Sequence, residues 1–160
     1  HDALPIFNCT GSFLISREAI KVFMRQPDGG AIVYINSDDA LKPSRHFLAY
    51  NSSKAAVLQM ARTIANEFGK YKIRANSVLP GAVFGGSKMW TPELRAARAK
   101  IHGFDPDLLE EEYKKNNALG VIIDPAEIAE VVVFLASERS AKMTGAALVI
   151  DGGGLGGYVR

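Results

Sequence analysis

Three side chains near the middle of the chain could together transfer a proton. Tyr50 and Lys54 are four residues apart, so they share one face of the segment if it is helical. Ser37 precedes Tyr50 by thirteen residues, at the end of an apolar run. A free tyrosine has a pKa of about 10, but a nearby cation can lower the pKa of an acid by roughly 1–3 units. Lys54 can supply that cation. The spacing of Tyr50 and Lys54 alone also occurs on ordinary solvated helix faces, but the phenol, the ammonium and the Ser37 hydroxyl together point to proton transfer.

Alternating helices and strands are predicted around these side chains. Apolar residues recur at helical spacing over 8–25, over 49–68 and after residue 124. Short apolar runs typical of buried strands cover 31–36, 73–79 and 146–150. Asp124, Pro125 and Glu127 are typical of the first turn of a helix. The alternation predicts a parallel sheet with right-handed crossovers, in which Ser37 follows a strand and Tyr50 lies near the start of the next helix.

Residues 82–119 do not fit this alternation. They are polar, irregular or weakly helical, and they look like neither a strand nor a core helix. We interpret them as an excursion from the sheet, placed between the strand at 73–79 and the helix that follows Asp124.

The motifs, in their order along the chain, resemble the catalytic half of the short-chain dehydrogenase/reductase family. The resemblance covers nearly the whole chain and rests on Asn8 in the segment 7–11, Asn36 with Ser37, Tyr50 with Lys54, Pro80 with Gly81, Thr144 with Gly145, and Asp151 with the glycines after it. It implies an α/β fold with a doubly wound parallel sheet of the Rossmann type, of which the N-terminal half is missing. It also implies NAD or NADP as cofactor, and oxidation of an alcohol or reduction of a carbonyl.

The resemblance implies a role for each of four residues. Tyr50 would be the general base in alcohol oxidation and the general acid in carbonyl reduction. Lys54 would bind the nicotinamide ribose, and Ser37 would hydrogen-bond the substrate oxygen. Asn8 would hold a water that connects Lys54 to solvent. Tyr50 and Lys54 are therefore expected at the cofactor as well as at the substrate.

The loop after the second predicted strand matches the family segment that meets the nicotinamide carboxamide. Pro80, Gly81 and Val83 are therefore expected to bind the cofactor, through backbone groups near Val83. Here the sequence departs from the family pattern, because Gly85 replaces the usual threonine two residues after the valine. Ser87 could supply a hydroxyl instead.

A second glycine-rich segment, from Asp151 to Gly157, contains a GxGxxG string but is not expected to bind phosphate. Such a string acts where a helix begins at its last glycines, whereas this sequence ends at Arg160. The phosphate-binding turn and the acidic residue that selects NAD over NADP are both expected before Asn8.

Residues 82–119 occupy the position of the family's substrate lid. Ser87 and Trp90 are candidate substrate contacts, and the segment also contains the basic side chains Arg95, Arg98, Lys100 and His102. With the stretch 116–121 and the glycine-rich tail, it is similar to the dehydrogenase half of bifunctional rhamnulose-1-phosphate aldolase/lactaldehyde dehydrogenases. This similarity implies a small hydroxyaldehyde or sugar-derived substrate such as lactaldehyde. A sugar or polyol dehydrogenase, a 3-oxoacyl thioester reductase and a non-catalytic nucleotide-binding scaffold remain alternatives.

The composition is typical of a cytoplasmic globular protein. The 160 residues are 48% hydrophobic and 22% charged, which suits one domain with a sizeable core. A net charge of +2 argues against nucleic acid or an anionic membrane as a partner, and no apolar run reaches the roughly 18 residues of a membrane span. Cys9 is the only cysteine, as expected in a reducing cytoplasm. We expect no metal, a small alcohol or carbonyl substrate, and a homo-oligomer, dimer or tetramer, when the protein is complete.

Residues 1–6 are expected to be foreign to the protein. Their sequence can be back-translated as CAC GAC GCT CTT CCG ATC, which matches the end of a widely used sequencing adapter. We therefore assign residues 7–160 to the C-terminal part of a single Rossmann-type dehydrogenase domain. The genomic sequence upstream of Phe7 tests this hypothesis.

Overall fold

A computed structural model gives the structure of the chain, and it describes residues 3–154. The helices are α1 (Ser12–Phe23), α2 (Leu48–Phe68), α3 (Pro92–His102), α4 (Leu109–Lys115) and α5 (Pro125–Ala136), and the strands are β1 (Gly30–Ile35), β2 (Ile73–Pro80) and β3 (Ala147–Ile150). The predicted bounds of the three strands and of α2 are confirmed to within one residue. Within 3–154, no helix is both long and apolar enough to cross a bilayer.

The three strands are parallel and lie in the order β1, β2, β3. β1 pairs with β2 along its whole length, and β2 pairs with β3 from Ser77 opposite Ala147 to Pro80 opposite Ile150. Parallel neighbours need a crossover connection, and α2 and α5 supply the two crossovers. The carboxyl ends of the strands therefore meet at one edge of the sheet.

Helices cover both faces of the sheet, as a doubly wound fold requires. One core cluster packs α1 and α2 on β1 and β2, and it includes Ile20, Tyr34, Val57, Ala61, Ile64, Ile73 and Ala75. The other packs α5 on the opposite face, and it includes Val78, Ile123, Ile128 and Leu135. Ile73 and Val78 are an odd number of residues apart in β2, so their side chains point to opposite faces. The predicted α/β fold with its parallel sheet is confirmed.

The helical backbone that leads into α1 begins before residue 8, where the sequence predicts the helix to start. A π-helical segment, Pro5–Gly11, leads directly into α1. Proline is well tolerated in the first turn of a helix, because its missing N–H has no intrahelical partner there. The boundary expected before Phe7 is thus not marked by a change of backbone conformation. The foreign origin of residues 1–6 stays a prediction, and residues 1 and 2 lie outside the described part.

The 82–119 segment is more helical than the sequence predicts. Thr91 caps α3 by accepting a backbone N–H at 3.3 Å, and Gly103 ends the helix with a φ of 79°. α4 buries Leu109 completely. Arg95 of α3 forms an ion pair with Glu110 of α4 at 3.2 Å. The segment is therefore a packed pair of short helices outside the sheet.

Candidate functional site

The end of β1 and the start of α2 bring the predicted catalytic side chains together. Ser37 follows β1 and is buried, while Tyr50 and Lys54 lie in the first two turns of α2. The Asn36 side chain donates a hydrogen bond to the backbone carbonyl of Lys54 at 3.1 Å. In return, Lys54 Nζ donates to the backbone carbonyl of Ile35 at 3.3 Å. These two bonds fix the end of β1 against the first turns of α2.

Burial dominates the acidity of the Tyr50 phenol. It raises the pKa of Tyr50 above the ordinary value of about 10, because a phenolate is poorly solvated in this partly buried place. The Ser37 hydroxyl opposes the rise in pKa, as does the Arg98 guanidinium, whereas the Asp39 and Asp38 carboxylates add to it. Tyr50 therefore holds its proton at neutral pH in the protein alone.

Lys54 does not outweigh this burial. Its Nζ lies over the Tyr50 ring, 5.7 Å from the centroid, and burial lowers the pKa of Lys54 itself. The expectation that Lys54 lowers the pKa of Tyr50 is therefore not met in the protein alone, since burial disfavours the charged form of each group. Among the described residues the ammonium has one acceptor, the Ile35 carbonyl, which leaves two N–H donors for a ligand.

Asn8 contacts the helix that carries Tyr50 through a partner that sequence analysis missed. Its side-chain amide donates to the Ser53 hydroxyl at 3.0 Å, and that hydroxyl donates to the backbone carbonyl of Tyr50 at 2.8 Å. Asn8 lies in the π-helical segment, a conformation that is frequent at functional sites. The structure thus brings Asn8 to the first turns of α2, whereas its water-mediated role toward Lys54 stays a prediction.

Sequence analysis also missed two charged neighbours of Ser37. Asp38 is 5% exposed and forms an ion pair with Lys42. Burial raises the pKa of Asp38, and the Lys42 ammonium opposes that rise. Asp39 accepts a hydrogen bond from the Ser44 hydroxyl at 2.5 Å. The signal in the sequence is the i, i+4 spacing of Asp38 and Lys42, although a 3₁₀ turn rather than an α-helix brings them together.

Pro80 ends β2, and Gly81 follows it at the same edge of the sheet as Ser37. The backbone N–H of Gly81 donates to the carbonyl of Ile150 at 2.9 Å. A Cβ at Gly81 would lie 3.0 Å from the Cβ of Asp151, so a side chain there would crowd the end of the sheet. The absence of a side chain at position 81 lets Asp151 approach the end of β2.

Val83 and Trp90 are held together at the start of the 82–119 segment, just after this strand end. Trp90 Nε1 donates to the backbone carbonyl of Val83 at 2.7 Å. The Trp90 ring stacks on buried Phe84, with centroids 4.6 Å apart, and meets Tyr113 edge-on at 5.7 Å. Trp90 therefore has a packing role in the protein alone, and its contact with substrate stays a prediction.

Gly85 stands where the family pattern has threonine, and Asp124 explains the difference. A Cβ at Gly85 would lie 1.8 Å from Oδ1 and 2.6 Å from Cγ of Asp124. Asp124 is the N-cap of α5, and its backbone N–H donates to Glu127 Oε2 at 2.8 Å. Ser87 lies in the turn that follows, where its hydroxyl accepts the N–H of Met89 at 3.3 Å. The Asp124 carboxylate thus fills the space that a side chain at position 85 would occupy. A substrate or cofactor contact by Ser87 stays a prediction.

The glycine-rich C-terminal segment packs against the end of the 82–119 segment. The Asp151 carboxylate accepts the N–H groups of Gly153 at 2.9 Å and Gly154 at 3.0 Å. The carbonyl of Gly153 in turn accepts the N–H of Ala118 at 2.9 Å. These N–H groups are therefore engaged within the protein. Residues 155–157, which complete the GxGxxG string, lie outside the described residues.

The edge formed by β1, β2 and α2 fits the nicotinamide end of a dinucleotide. Among the described residues Lys54 keeps two N–H donors beyond its bond to Ile35, and Gly81 has no side chain that would crowd the strand end. Asn36 Oδ1 is buried without a hydrogen-bond partner in the described part of the chain. In that same part, no three His, Cys, Asp or Glu side chains gather into a group that could hold a metal ion.

Comparison with known proteins shows the family to which these features belong. A family model described as "Enoyl-(Acyl carrier protein) reductase" matches residues 3–154. The chain belongs to the short-chain dehydrogenase/reductase family. The matched range includes every residue proposed above for the site. The family resemblance of the sequence motifs is therefore confirmed.

Similar members of the short-chain dehydrogenase/reductase family include two curated proteins and a solved structure. The chain is 43% identical over 151 residues to "Uncharacterized oxidoreductase YuxG" of Bacillus subtilis (strain 168), covering 94% of this chain and 22% of that protein. It is 33% identical over 147 residues to L-rhamnose-1-dehydrogenase of Scheffersomyces stipitis, covering 91% and 52%. Sorbitol-6-phosphate 2-dehydrogenase SrlD from Erwinia amylovora superposes with a TM-score of 0.86 at 26% identity, covering 95% and 59%. The chain thus spans less than two thirds of each relative.

Gly85→Ala should destabilise the protein, because the new Cβ displaces the Asp124 carboxylate from the start of α5. We expect the free energy of unfolding to fall by about 1–2 kcal/mol, the usual cost of disturbing an N-cap. Urea unfolding measures it. Gly69→Ala is the matched control, since a Cβ at Gly69 meets nothing within 4 Å. In an Asp124→Ala background the cost of Gly85→Ala should shrink, and an equal cost in both backgrounds would contradict this explanation.

Proposed function

We propose that this chain is the catalytic part of an NAD(P)-dependent oxidoreductase that interconverts an alcohol and a carbonyl. The observation that carries the proposal is the meeting of Ser37, Tyr50 and Lys54 at the carboxyl edge of the sheet. A tyrosine and a lysine on an ordinary solvated helix face would need neither the buried serine nor the two hydrogen bonds to β1. Membership of the short-chain dehydrogenase/reductase family supports the reaction class.

Tyr50 transfers the proton in this mechanism. Its phenolate accepts the hydroxyl proton when an alcohol is oxidised, and its phenol donates a proton to the oxygen when a carbonyl is reduced. The Ser37 hydroxyl hydrogen-bonds the same substrate oxygen, which fixes its distance from Tyr50 and stabilises the developing charge. Because burial raises the pKa of Tyr50, the Tyr50 phenol is already protonated in the protein without cofactor, as carbonyl reduction requires.

Lys54 holds the ribose and supports the charge of Tyr50. When bound, NAD or NADP supplies the hydride acceptor or donor. The two N–H donors of Lys54 that β1 leaves free bind ribose hydroxyls, and backbone groups from Pro80 to Val83 bind the carboxamide. Asn8, which reaches α2 through Ser53, holds a water that connects Lys54 with solvent.

The substrate is a small hydroxyaldehyde or a sugar-derived alcohol such as lactaldehyde. Two similar proteins, a rhamnose dehydrogenase and a sorbitol-6-phosphate dehydrogenase, support a substrate of the sugar type. The 82–119 segment forms the lid, with Ser87 and Trp90 toward the substrate. The hydrogen bond from Trp90 to Val83 supports this placement, because it holds the tryptophan against a residue only three positions after the end of β2.

The complete protein is a cytoplasmic homo-oligomer in this proposal, and a preceding half supplies the phosphate-binding turn. The relative that is 43% identical is more than four times as long as its matched segment, which covers 22% of it. That length supports a dehydrogenase joined to a second domain, as in the bifunctional aldolase/lactaldehyde dehydrogenases.

Tyr50→Phe in the full-length protein should lower kcat by roughly 10²–10⁴, the usual share of general acid–base catalysis. Cofactor binding should stay nearly intact, because Phe keeps the ring over which Lys54 lies. Steady-state kinetics with lactaldehyde, together with titration calorimetry of NAD and NADP, gives both quantities. Tyr71→Phe is the control, since Tyr71 precedes β2 at the opposite end of that strand. A Tyr50→Phe variant with a third or more of the wild-type kcat would remove Tyr50 from the mechanism.

Lys54→Met should weaken cofactor binding as well as turnover, because one ammonium serves both the ribose and Tyr50. Loss of a charged hydrogen-bond donor costs about 1.5–3 kcal/mol, so the dissociation constant of the cofactor should rise about tenfold or more. Calorimetry measures it, with exposed Lys70→Met as the matched control. If the defect were confined to kcat, the role of Lys54 at the ribose would be wrong.

A further inference from the structure

An arginine without a carboxylate partner among residues 3–154 lies next to the proposed site. Arg98 of α3 is half-buried, and its Nε is buried without a hydrogen-bond partner among residues 3–154. Arg98 is absent from the ion pairs of the same residues. Arg95, one turn earlier in the same helix, instead pairs with Glu110. Of the two arginines of α3, Arg95 is thus paired with a carboxylate, whereas Arg98 has no ion-pair partner among residues 3–154.

Aromatic contacts place Arg98 beside the helix that carries Tyr50. The guanidinium carbon lies 4.1 Å from the centroid of the Phe47 ring, a distance typical of a cation–π contact. The rings of Phe47 and Tyr50 meet edge to face, with centroids 6.4 Å apart. Burial raises the pKa of both Tyr50 and Tyr113, and the charge of Arg98 opposes that rise in each. Arg98 thus lies within electrostatic reach of both phenols.

The carboxylates of this region are engaged with other groups. Asp38 pairs with Lys42, and the Asp39 carboxylate accepts the Ser44 hydroxyl. Neither carboxylate lies within ion-pair distance of Arg98. A partly desolvated guanidinium gains most from a ligand that accepts two of its five N–H donors at once. Carboxylate and phosphate groups have that geometry.

We propose that Arg98 binds an oxyanion group of the substrate, a carboxylate or a phosphate, and so selects the anionic members of the substrate class. This inference rests on the proposed function, because it assumes that the reacting oxygen lies at Ser37 and Tyr50. Arg98 of the lid then binds the charged group of the substrate, while Ser37 and Tyr50 act on its reacting oxygen. A neutral substrate such as lactaldehyde leaves the guanidinium unpaired and should react less efficiently than an anionic one of similar size.

Matched substrate pairs test the inference on the full-length protein in phosphate-free buffer. One arm compares 3-hydroxybutanoate with its neutral amide, and the other compares glyceraldehyde 3-phosphate with glyceraldehyde. We expect kcat/KM for the anionic member of at least one pair to exceed that of the neutral member about tenfold or more. Arg98→Met should bring this ratio close to one by raising the KM of the anionic member. Arg98→Lys should restore part of the ratio. Arg95→Met, which removes the paired arginine of the same helix, should leave the ratio unchanged.

Binding separates failure of this inference from failure of the proposed function. Titration calorimetry on the full-length protein measures binding of 3-hydroxybutanoate and glyceraldehyde 3-phosphate without turnover. Arg98→Met should raise at least one of these dissociation constants tenfold or more. If binding depends on Arg98 but no turnover occurs with either NAD or NADP, the anion site is supported and the proposed function is overturned. Turnover with equal kcat/KM within both pairs, or a preference unaffected by Arg98→Met, would overturn the anion site.

Discussion

The reciprocal hydrogen bonding between the end of β1 and the start of α2 is the constraint on which the site depends. Asn36 donates to the carbonyl of Lys54, and Lys54 Nζ donates back to the carbonyl of Ile35. With these bonds in place, the residue after Asn36 must face the first turns of α2. These bonds therefore help to hold Ser37 and Tyr50 together at the carboxyl edge of the parallel sheet.

Burial of the site also disfavours the charged forms of Tyr50 and Lys54. Removal from water raises the pKa of Tyr50 and lowers the pKa of Lys54, so each group is pushed toward its neutral form. A base is needed for oxidation and an acid for reduction, and the protein alone provides the acid. The proposed cofactor, which brings positive charge in its oxidised form, would shift the balance toward the phenolate. Proton transfer and cofactor binding are then coupled through one local electrostatic equilibrium.

Much of the fold could be predicted because its signals are local. The apolar runs of β1 and β2 and the helical spacing in α2 lie within single segments, and the motif from Ser37 to Lys54 spans one β–α connection. The remaining features join distant parts of the chain. Gly85 looks like a defect in the family motif until Asp124, thirty-nine positions later, is seen to occupy its space. Arg98 looks like a solvated residue until Phe47 is placed against it, and no periodicity encodes either contact.

Titration of Tyr50 tests the central claim most directly. The ring Cζ of ¹³C-labelled tyrosine reports ionisation by NMR in the full-length protein, and the signal lost in Tyr50→Phe assigns it. The account predicts a pKa above about 10 in the protein alone, and a fall of at least about one unit when oxidised NAD or NADP binds, as expected for a cation added beside an acid. A Tyr50 that titrates below its ordinary range in the protein alone, or whose pKa does not change on cofactor binding, would contradict it.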